Sequence, residues 1–268
     1  MKSGIFDLVG VGFGPANLAL AIQLDRIQKE RKSVALRSLF IEKQPVLGWH
    51  TGMLLPDASL QIHFLKDLVT SVDPCSRFSF VNFLKTSGRL FDFINLRTNY
   101  PSREEYNEYL QWAASQFNDL VEYGATVAQV SPVMVGQQVD GLSITYQRRG
   151  EMRSVQAANV VLACGRAPHV PSVFPAGSSR IVHSSSFTSW LGRMRASCRP
   201  LECWWSDRGK APPRSLPICS IAARRGRSIT CIASTATARP TVAASLIRSS
   251  ILTSLTTSSN SRPDRGLA

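Results

Sequence analysis

Residues Ile5–Leu24 read IFDLVGVGFGPANLALAIQL, and the two halves of this stretch obey different periods. IFDLVGVG is a short apolar run ending in glycines, which suits a parallel strand buried on both faces. From Pro15 onward, PANLALAIQLDRIQKE spaces its apolar residues as a helix does. Pro15 stands near the first turn, where its missing N–H costs little. VALRSLFIEK, residues 34–43, reads as a second strand, so the stretch opens a β-α-β unit of ordinary length.

Gly10-x-Gly12, after a strand and before a helix, is the opening of a dinucleotide fingerprint. The first glycine permits a tight turn, and the second lets backbone approach a pyrophosphate that the helix N-terminus attracts. Pro15 occupies the third glycine position, so the strict pattern is broken. A glycine-rich turn without a ligand is the competing reading. Glu42 ends the second strand, where a carboxylate accepts hydrogen bonds from a ribose and favours an unphosphorylated adenosine such as that of FAD. Its plainer reading is a solvated charge beside Lys43.

Further along, SREEYNEYLQWAASQFNDL is the clearest helix. Ser102 can cap it, Glu104 and Glu105 suit its positive end, and Tyr106, Leu110, Ala113 and Phe117 share a face. ATVAQVSPVMV and GLSITYQRR alternate as strands do, and NVVLACG is a buried strand ending at Gly165. QIHFLKDLVT places Gln61, Lys66 and Asp67 among apolar residues. An ammonium in such a setting can clamp a carboxylate or phosphate. From the residues alone, a surface lysine paired with Asp67 is the simpler reading. His50 and His63 read as packed or surface histidines, since no carboxylate or cysteine cluster accompanies either.

Composition divides the chain in two. The net charge is +13 over 268 residues, but residues 191–268 hold 13 Lys/Arg against 3 Asp/Glu, and residues 1–190 hold 18 against 15. All 12 Phe and all 5 Tyr precede Thr188, while four of the six Cys follow Trp190. Cys75 and Cys164 are too few for a disulfide framework, and Cys198, Cys203, Cys219 and Cys231 lack paired metal-ligand spacing. No run of about 20 apolar residues suggests a membrane span. Leu8–Ile22 has the hydropathy of a signal peptide, but Gly10, Gly12, Gly14 and Pro15 interrupt it and no small-residue cleavage site follows. The expectation is a cytoplasmic protein with reduced thiols and neither a membrane nor a nucleic-acid partner.

DLVGVGFGPANLALAI, FIEKQPVLGWHTGMLLPDASLQIHFLKDLVT, DPCSRFSFVNFL, GRLFDFINL, YPSREEYNEYLQWAA and VVLACGRAPHVP together resemble the flavin-dependent N-hydroxylating monooxygenases. These are the L-ornithine N5- and L-lysine N6-monooxygenases of siderophore biosynthesis, and the resemblance runs in order over about residues 5–190. It implies FAD held by Gly10, Gly12, Gly14 and Asn17 and by the segment Glu42–His50, with Lys43, Trp49 and His50 in that segment. Gln61 and Val127 also lie near the flavin. It further implies that Lys66 binds the substrate, its cation facing the α-carboxylate so that the terminal amine points at the flavin. NADPH and O2 are the co-substrates, no metal is needed, and no protein side chain is singled out as catalytic. FINL and YPSREEYNEYL favour L-ornithine over L-lysine. A homo-oligomer, dimer or tetramer, is also implied. The expected fold is α/β: a Rossmann-like FAD-binding domain with a parallel sheet, incomplete, over residues 1–190, then an irregular or disordered basic tail over 191–268.

The same family carries a GxGQSAAE-type motif for NADPH and an FVNE-type substrate loop downstream, and this chain shows neither as written. CWWSDRGKAPPRSLP, residues 203–217, stands near the place where the first is due. Tryptophan has a single codon, so the stretch can be partly back-translated. Reading each codon from the third base of the written one, Trp204–Trp205–Ser206 permits Val-Val, and Ser206 to Arg214 permits Gly-Ser-Gly-Gln-Ser-Ala-Ala-Glu. In the same offset frame, Arg248–Ile251 permits Phe-Val-Asn and Thr256–Ser261 permits Asp-Phe-Phe-Glu-Gln. The expectation is one frameshift between about Ser189 and Trp204, leaving a chain with little or no flavin and no turnover. Three alternatives stand beside it: a non-catalytic flavin- or nucleotide-binding fragment, a native basic Ser/Thr-rich extension, and a basic nucleic-acid-binding protein, which rests only on the tail charge.

Overall fold

The computed structural model describes residues 5–31, 36–56, 58–170 and 181–196, and the backbone of 202–206 and 228–232. The opening β-α-β unit is present: β1 (Ile5–Val11), α1 (Pro15–Arg31) and β2 (Ser38–Glu42). Three short helices follow, α2 (Phe80–Thr86), α3 (Leu90–Asn95) and α4 (Arg103–Ser115). Then come β3 (Val121–Tyr123), β4 (Ala125–Val135), β5 (Gln138–Arg148), β6 (Glu151–Leu162) and α5 (Phe187–Ala196). β2 is shorter at its start than the apolar run Val34–Lys43 suggested, and residues 32–35 lie outside the described part.

Six strands form one sheet in the order β3-β2-β1-β6-β5-β4. β1 runs parallel to β2 and β6, and β2 parallel to β3. The other two pairings, β6 with β5 and β5 with β4, are antiparallel. The sheet is therefore mixed rather than wholly parallel, and the loops explain why. Two residues separate β5 from β6, Arg149 at φ 50° and Gly150 at φ 86°, both in the left-handed region that a tight hairpin turn demands. A parallel return would need a crossover of a dozen residues or more. β6 serves both halves: Glu151–Ala157 pairs with β5, and Gln156–Leu162 pairs with β1. NVVL thus reads only the end of a longer strand, which stops at Leu162 rather than Gly165 and is half-buried to exposed there rather than buried. β4 closes the sheet as an edge strand, a position that tolerates Pro132.

The helical side of the core is aromatic. Phe13, Phe40, Phe78, Phe80, Phe83, Tyr106, Tyr109 and Phe117 are all buried in one cluster with Leu18, Ala21 and Ile22 of α1. Each such side chain contributes about 1.5–3 kcal/mol by leaving water. The expected α4 face is the observed one: Tyr106, Leu110, Ala113 and Phe117 are buried, and the Ser102 hydroxyl accepts from the Glu105 N–H at 3.0 Å. A second cluster, Val9, Leu39, Ile41, Ala125, Ile144, Tyr146 and Ala157, packs on the sheet.

α5 packs its Phe187 and Trp190 with Leu55 and Ala58. Gly52 allows this approach, since a Cβ there would run into the carbonyl oxygens of Ser184 and Ser185. Of the residues assigned to the tail, α5 carries the chain to Ala196, and β7 (Glu202–Ser206) pairs in parallel with β8 (Ser228–Ile232). The remainder of the tail expectation lies outside the described residues, including positions 207–214 of the offset-frame motif and both downstream segments. No helix among the described residues is long and apolar enough to cross a membrane.

Candidate dinucleotide and substrate site

The turn between β1 and α1 is held from both sides. The Gly12 N–H donates to the Ile41 carbonyl at 2.8 Å, and the Ala163 N–H donates to the Val11 carbonyl at 2.8 Å. Gly12 has φ 85°, and a Cβ there would stand 2.6 Å from the Ala163 oxygen. At Gly10 a Cβ would drive into the Phe40 ring. Both glycines are therefore demanded by packing before any ligand is considered. Gly14 differs: nothing lies within 4 Å of a Cβ built on it, so the space above the start of α1 is open.

Asn17 sits beneath the turn rather than on its surface. It is 1% exposed, and its Nδ2 donates to the Gly12 carbonyl at 2.6 Å. Glu42, at the end of β2, reaches across to the same turn. One carboxylate oxygen accepts from the Phe13 N–H at 2.6 Å, and the other from the Gln44 N–H at 2.8 Å. A carboxylate offers about four lone-pair sites, so acceptor capacity remains for a ribose hydroxyl. Lys43 is exposed beside it. A positive-φ glycine, an open helix start and a carboxylate closing on the turn together suit a dinucleotide such as FAD.

Trp49 and His50 are positioned by α4. The Trp49 N–H donates to Asn107 Oδ1 at 2.9 Å, and Gln111 Nε2 donates to the Leu47 carbonyl at 3.0 Å. The Trp49 ring lies 4.6 Å from His50 and 5.5 Å from Tyr106, centroid to centroid. His50 takes φ 51°, and its carbonyl accepts from the Met53 N–H at 2.7 Å to start a short 3₁₀ turn, Thr51–Met53. Burial, and then the Arg103 charge, hold the His50 imidazole below its ordinary pKa. Val127 is half-buried on β4 against the sheet-side cluster, beside a register irregularity between Val127 and Gln129.

Gln61 and Lys66 are exposed on the segment that joins the first 3₁₀ turn to α2. That segment runs beside residues 99–101: the Leu60 N–H donates to Pro101 O and the Phe64 N–H to Asn99 O, each at 2.9 Å. The expected Lys66–Asp67 pair does not form. Asp67 instead accepts from the N–H groups of Val69, Thr70 and Phe80 and from the Thr70 hydroxyl, at 2.6–3.0 Å. The Lys66 ammonium is left without an ion-pair partner among the described residues. His63 behaves as a packed surface histidine, stacked on Phe64 with its Nδ1 accepting from the Leu65 N–H. No group of three or more metal-ligating side chains occurs among the described residues.

The expected site residues thus fall into three groups, with Val127 apart on β4: Gly10, Gly12, Gly14, Asn17, Glu42 and Lys43 around the turn, Trp49 and His50 against α4, and Gln61 and Lys66 on an exposed segment. The sequence reading missed the supports of the second group, Asn107 and Gln111. Their only signal was polar side chains flanking the apolar stripe of α4, and buried Asn107 was the stronger of the two.

Residues 4–199 match the family described as L-lysine 6-monooxygenase/L-ornithine 5-monooxygenase. The chain belongs to this family. It is 43% identical over 199 residues to an L-ornithine N(5)-monooxygenase of Burkholderia cepacia, which covers 73% of this chain and 44% of that protein. Among solved structures it is similar to the reduced form of the ornithine hydroxylase PvdA from Pseudomonas aeruginosa, with a TM-score of 0.68 and 38% identity over 75% of this chain and 48% of that one. The ornithine N-hydroxylase KtzI of Kutzneria sp. 744, described with reduced FAD, NADP+ and L-ornithine, gives the same TM-score of 0.68 at 37% identity, over 75% of this chain and 47% of that one. The chain therefore spans less than half the length of these three relatives.

Proposed function

We propose that this chain carries the FAD-holding portion, with the substrate lysine, of an NADPH-dependent enzyme that hydroxylates the side-chain amine of L-ornithine for siderophore synthesis. The observation that carries the reading is the unbroken family match over residues 4–199, which contains the whole glycine turn, Glu42 and Lys66. The residues fit FAD: the Gly10–Gly12 turn and the start of α1 would receive the pyrophosphate, and Glu42 the ribose. Bound FAD, reduced by NADPH, supplies the oxygen-transfer chemistry with O2.

The chain's own residues supply binding and orientation. Asn17 and Glu42 keep the turn in its ligand-ready shape. The Lys66 ammonium, free of a protein carboxylate, pairs with the substrate α-carboxylate and fixes which end of the amino acid faces inward. The reacting amine must be neutral to act as a nucleophile. With a lysine-like pKa of about 10.4, only about one molecule in 10³ is neutral in water at pH 7, so a dry pocket that disfavours the ammonium raises that share. L-Lysine differs from ornithine by one methylene, worth about 1–3 kcal/mol of discrimination in a fitted pocket.

We further propose that the residues after about 199 are an out-of-register reading of the segment that holds NADPH in the intact enzyme. Three readings in one offset frame, in family order, support this, as does the charge break near the point where the family match stops. The test is to restore the offset frame before Trp204, express the longer product and follow hydroxylamine formation with NADPH, using ornithine and lysine in parallel. Ornithine-dependent product from the restored enzyme and none from the present chain is the expected result. Turnover by the present chain, or a restored enzyme that prefers lysine, would count against the reading.

A further inference from the structure

Lys66 is exposed and its ammonium has no ion-pair partner among the described residues, yet the backbone around it is tied down on both sides. Before it, the Lys66 N–H donates to the His63 carbonyl at 2.9 Å. After it stands Asp67, whose Oδ1 accepts from Val69 N–H at 3.0 Å and Thr70 N–H at 2.6 Å. Its Oδ2 accepts from the Thr70 hydroxyl at 2.8 Å and from the Phe80 N–H at 2.8 Å. Phe80 is the first residue of α2, so a negative charge here also faces the positive end of that helix. The next amide, Leu68 N–H, donates to the Tyr109 hydroxyl at 3.2 Å, and that hydroxyl donates to the Phe78 carbonyl at 2.8 Å. Tyr109 is fully buried on α4. The segment after Lys66 is thus bolted to α2 by Asp67 and to α4 by Tyr109.

We propose that Asp67 is the positioning residue of the substrate site: it turns its carboxylate away from Lys66, fixes the backbone that carries Lys66, and so presents an unpaired ammonium at a constant place. This rests on Lys66 being the carboxylate-binding cation. Asp67 itself touches neither substrate nor cofactor in this account. Its adjacency is part of the device, because a carboxylate beside a lysine would ordinarily neutralise it. Four donors occupy the Asp67 oxygens, which leaves no lone pair well placed for the neighbouring cation.

The test uses three variants, with hydrogen exchange read in the chain as it is and ornithine and FAD affinity read in the frame-restored enzyme. Asp67→Asn keeps Oδ1 and its two bonds but sets an amide NH2 against the Phe80 N–H, donor against donor. Thr70→Val removes only the hydroxyl and is the milder change. Lys66→Ala marks the loss of the cation itself. Hydrogen exchange, read residue by residue, should quicken in Asp67→Asn at Phe80 about tenfold or more and at Val69 and Thr70 by less, with the β4–β5 amides unchanged. Ornithine affinity should fall about tenfold in Asp67→Asn while FAD affinity holds, a split that a general loss of stability would not give. Thr70→Val should move both readouts the same way by less. If wild type binds ornithine and Lys66→Ala does not, yet Asp67→Asn binds it normally or leaves Phe80 exchange unchanged, the positioning role is overturned. If wild type with FAD shows no ornithine affinity that depends on Lys66, the substrate reading fails, and the positioning role with it.

Discussion

Residues 5–196 and the residues after 199 of the same chain obey different rules. In the first, the levels agree: the apolar periods name the elements, Gly10, Gly12 and Gly52 stand where φ or close packing requires them, and the charges nearly balance. In the second, ten of the chain's surplus positive charges collect once the last residues of α5 are counted, without a Phe or a Tyr to pack against. The family match covers one and stops at the other. Agreement across levels marks a sequence under selection for a fold. Its loss at one point in the chain is informative in itself, and it means the net charge of +13 says nothing about a nucleic-acid partner.

Substitutions can sharpen that contrast, and the largest effect is expected at Gly12. Gly12→Val puts a β-branched side chain at φ 85° with its Cβ 2.6 Å from a fixed carbonyl. A loss of about 3 kcal/mol or more should follow, checked by urea unfolding. Gly226→Val, in the tail, should leave the stability unchanged; an equal loss there would erase the difference between the two regions.

Next in size is Lys66→Ala, made in the frame-restored enzyme. Ornithine affinity should drop about 30- to 100-fold, corresponding to about 2–3 kcal/mol for a charge-assisted contact, with FAD affinity retained. Titration calorimetry with ornithine reads it. Tyr109→Phe should cost about 1–3 kcal/mol by leaving the Phe78 carbonyl and Leu68 N–H without their shared partner. A midpoint in urea that does not move would remove Tyr109 from the support of the Lys66 segment.

The smallest effect is a pH dependence. The folded-state pKa of His50 is depressed by burial and by Arg103. Over the window just below the ordinary imidazole value of about 6.5, the unfolded chain therefore binds a proton that the folded chain does not. Stability from this group is complete above that value and declines as pH falls through the window. His50→Gln should flatten the decline. A wild-type curve that rises toward acid between pH 7 and 5 would contradict the sign.

Much of the fold could be read from local pattern. The β-α-β opening, Ser102 as a cap and the buried face of α4 each follow from spacing within one element. The mixed sheet was less legible, because its signal was the Arg149–Gly150 turn, where an arginine occupies a left-handed position that usually announces itself as Asn or Gly. At the site, Gly12 and Glu42 declared themselves by position. Asn17 was expected among the flavin-holding residues, and only three dimensions show that it lies buried beneath the turn, bonded to the Gly12 carbonyl. Lys66 was obscured by its neighbour: sequence adjacency suggested a Lys66–Asp67 pair, and the competing donors, Thr70 and Phe80, become visible only when the chain folds back on itself.

The contrast between the two regions is tested most directly in the coding DNA. Reading the bases from about codon 189 to the end of the chain in the offset frame should give Val-Val-Gly-Ser-Gly-Gln-Ser-Ala-Ala-Glu across the codons of Trp204–Arg214, then continue open through the codons of Arg248–Ile251 and Thr256–Ser261. Stop codons in that frame, or bases at Ser206–Arg214 that give no glycine-rich motif, would contradict the account and leave the basic tail as a native part of this protein.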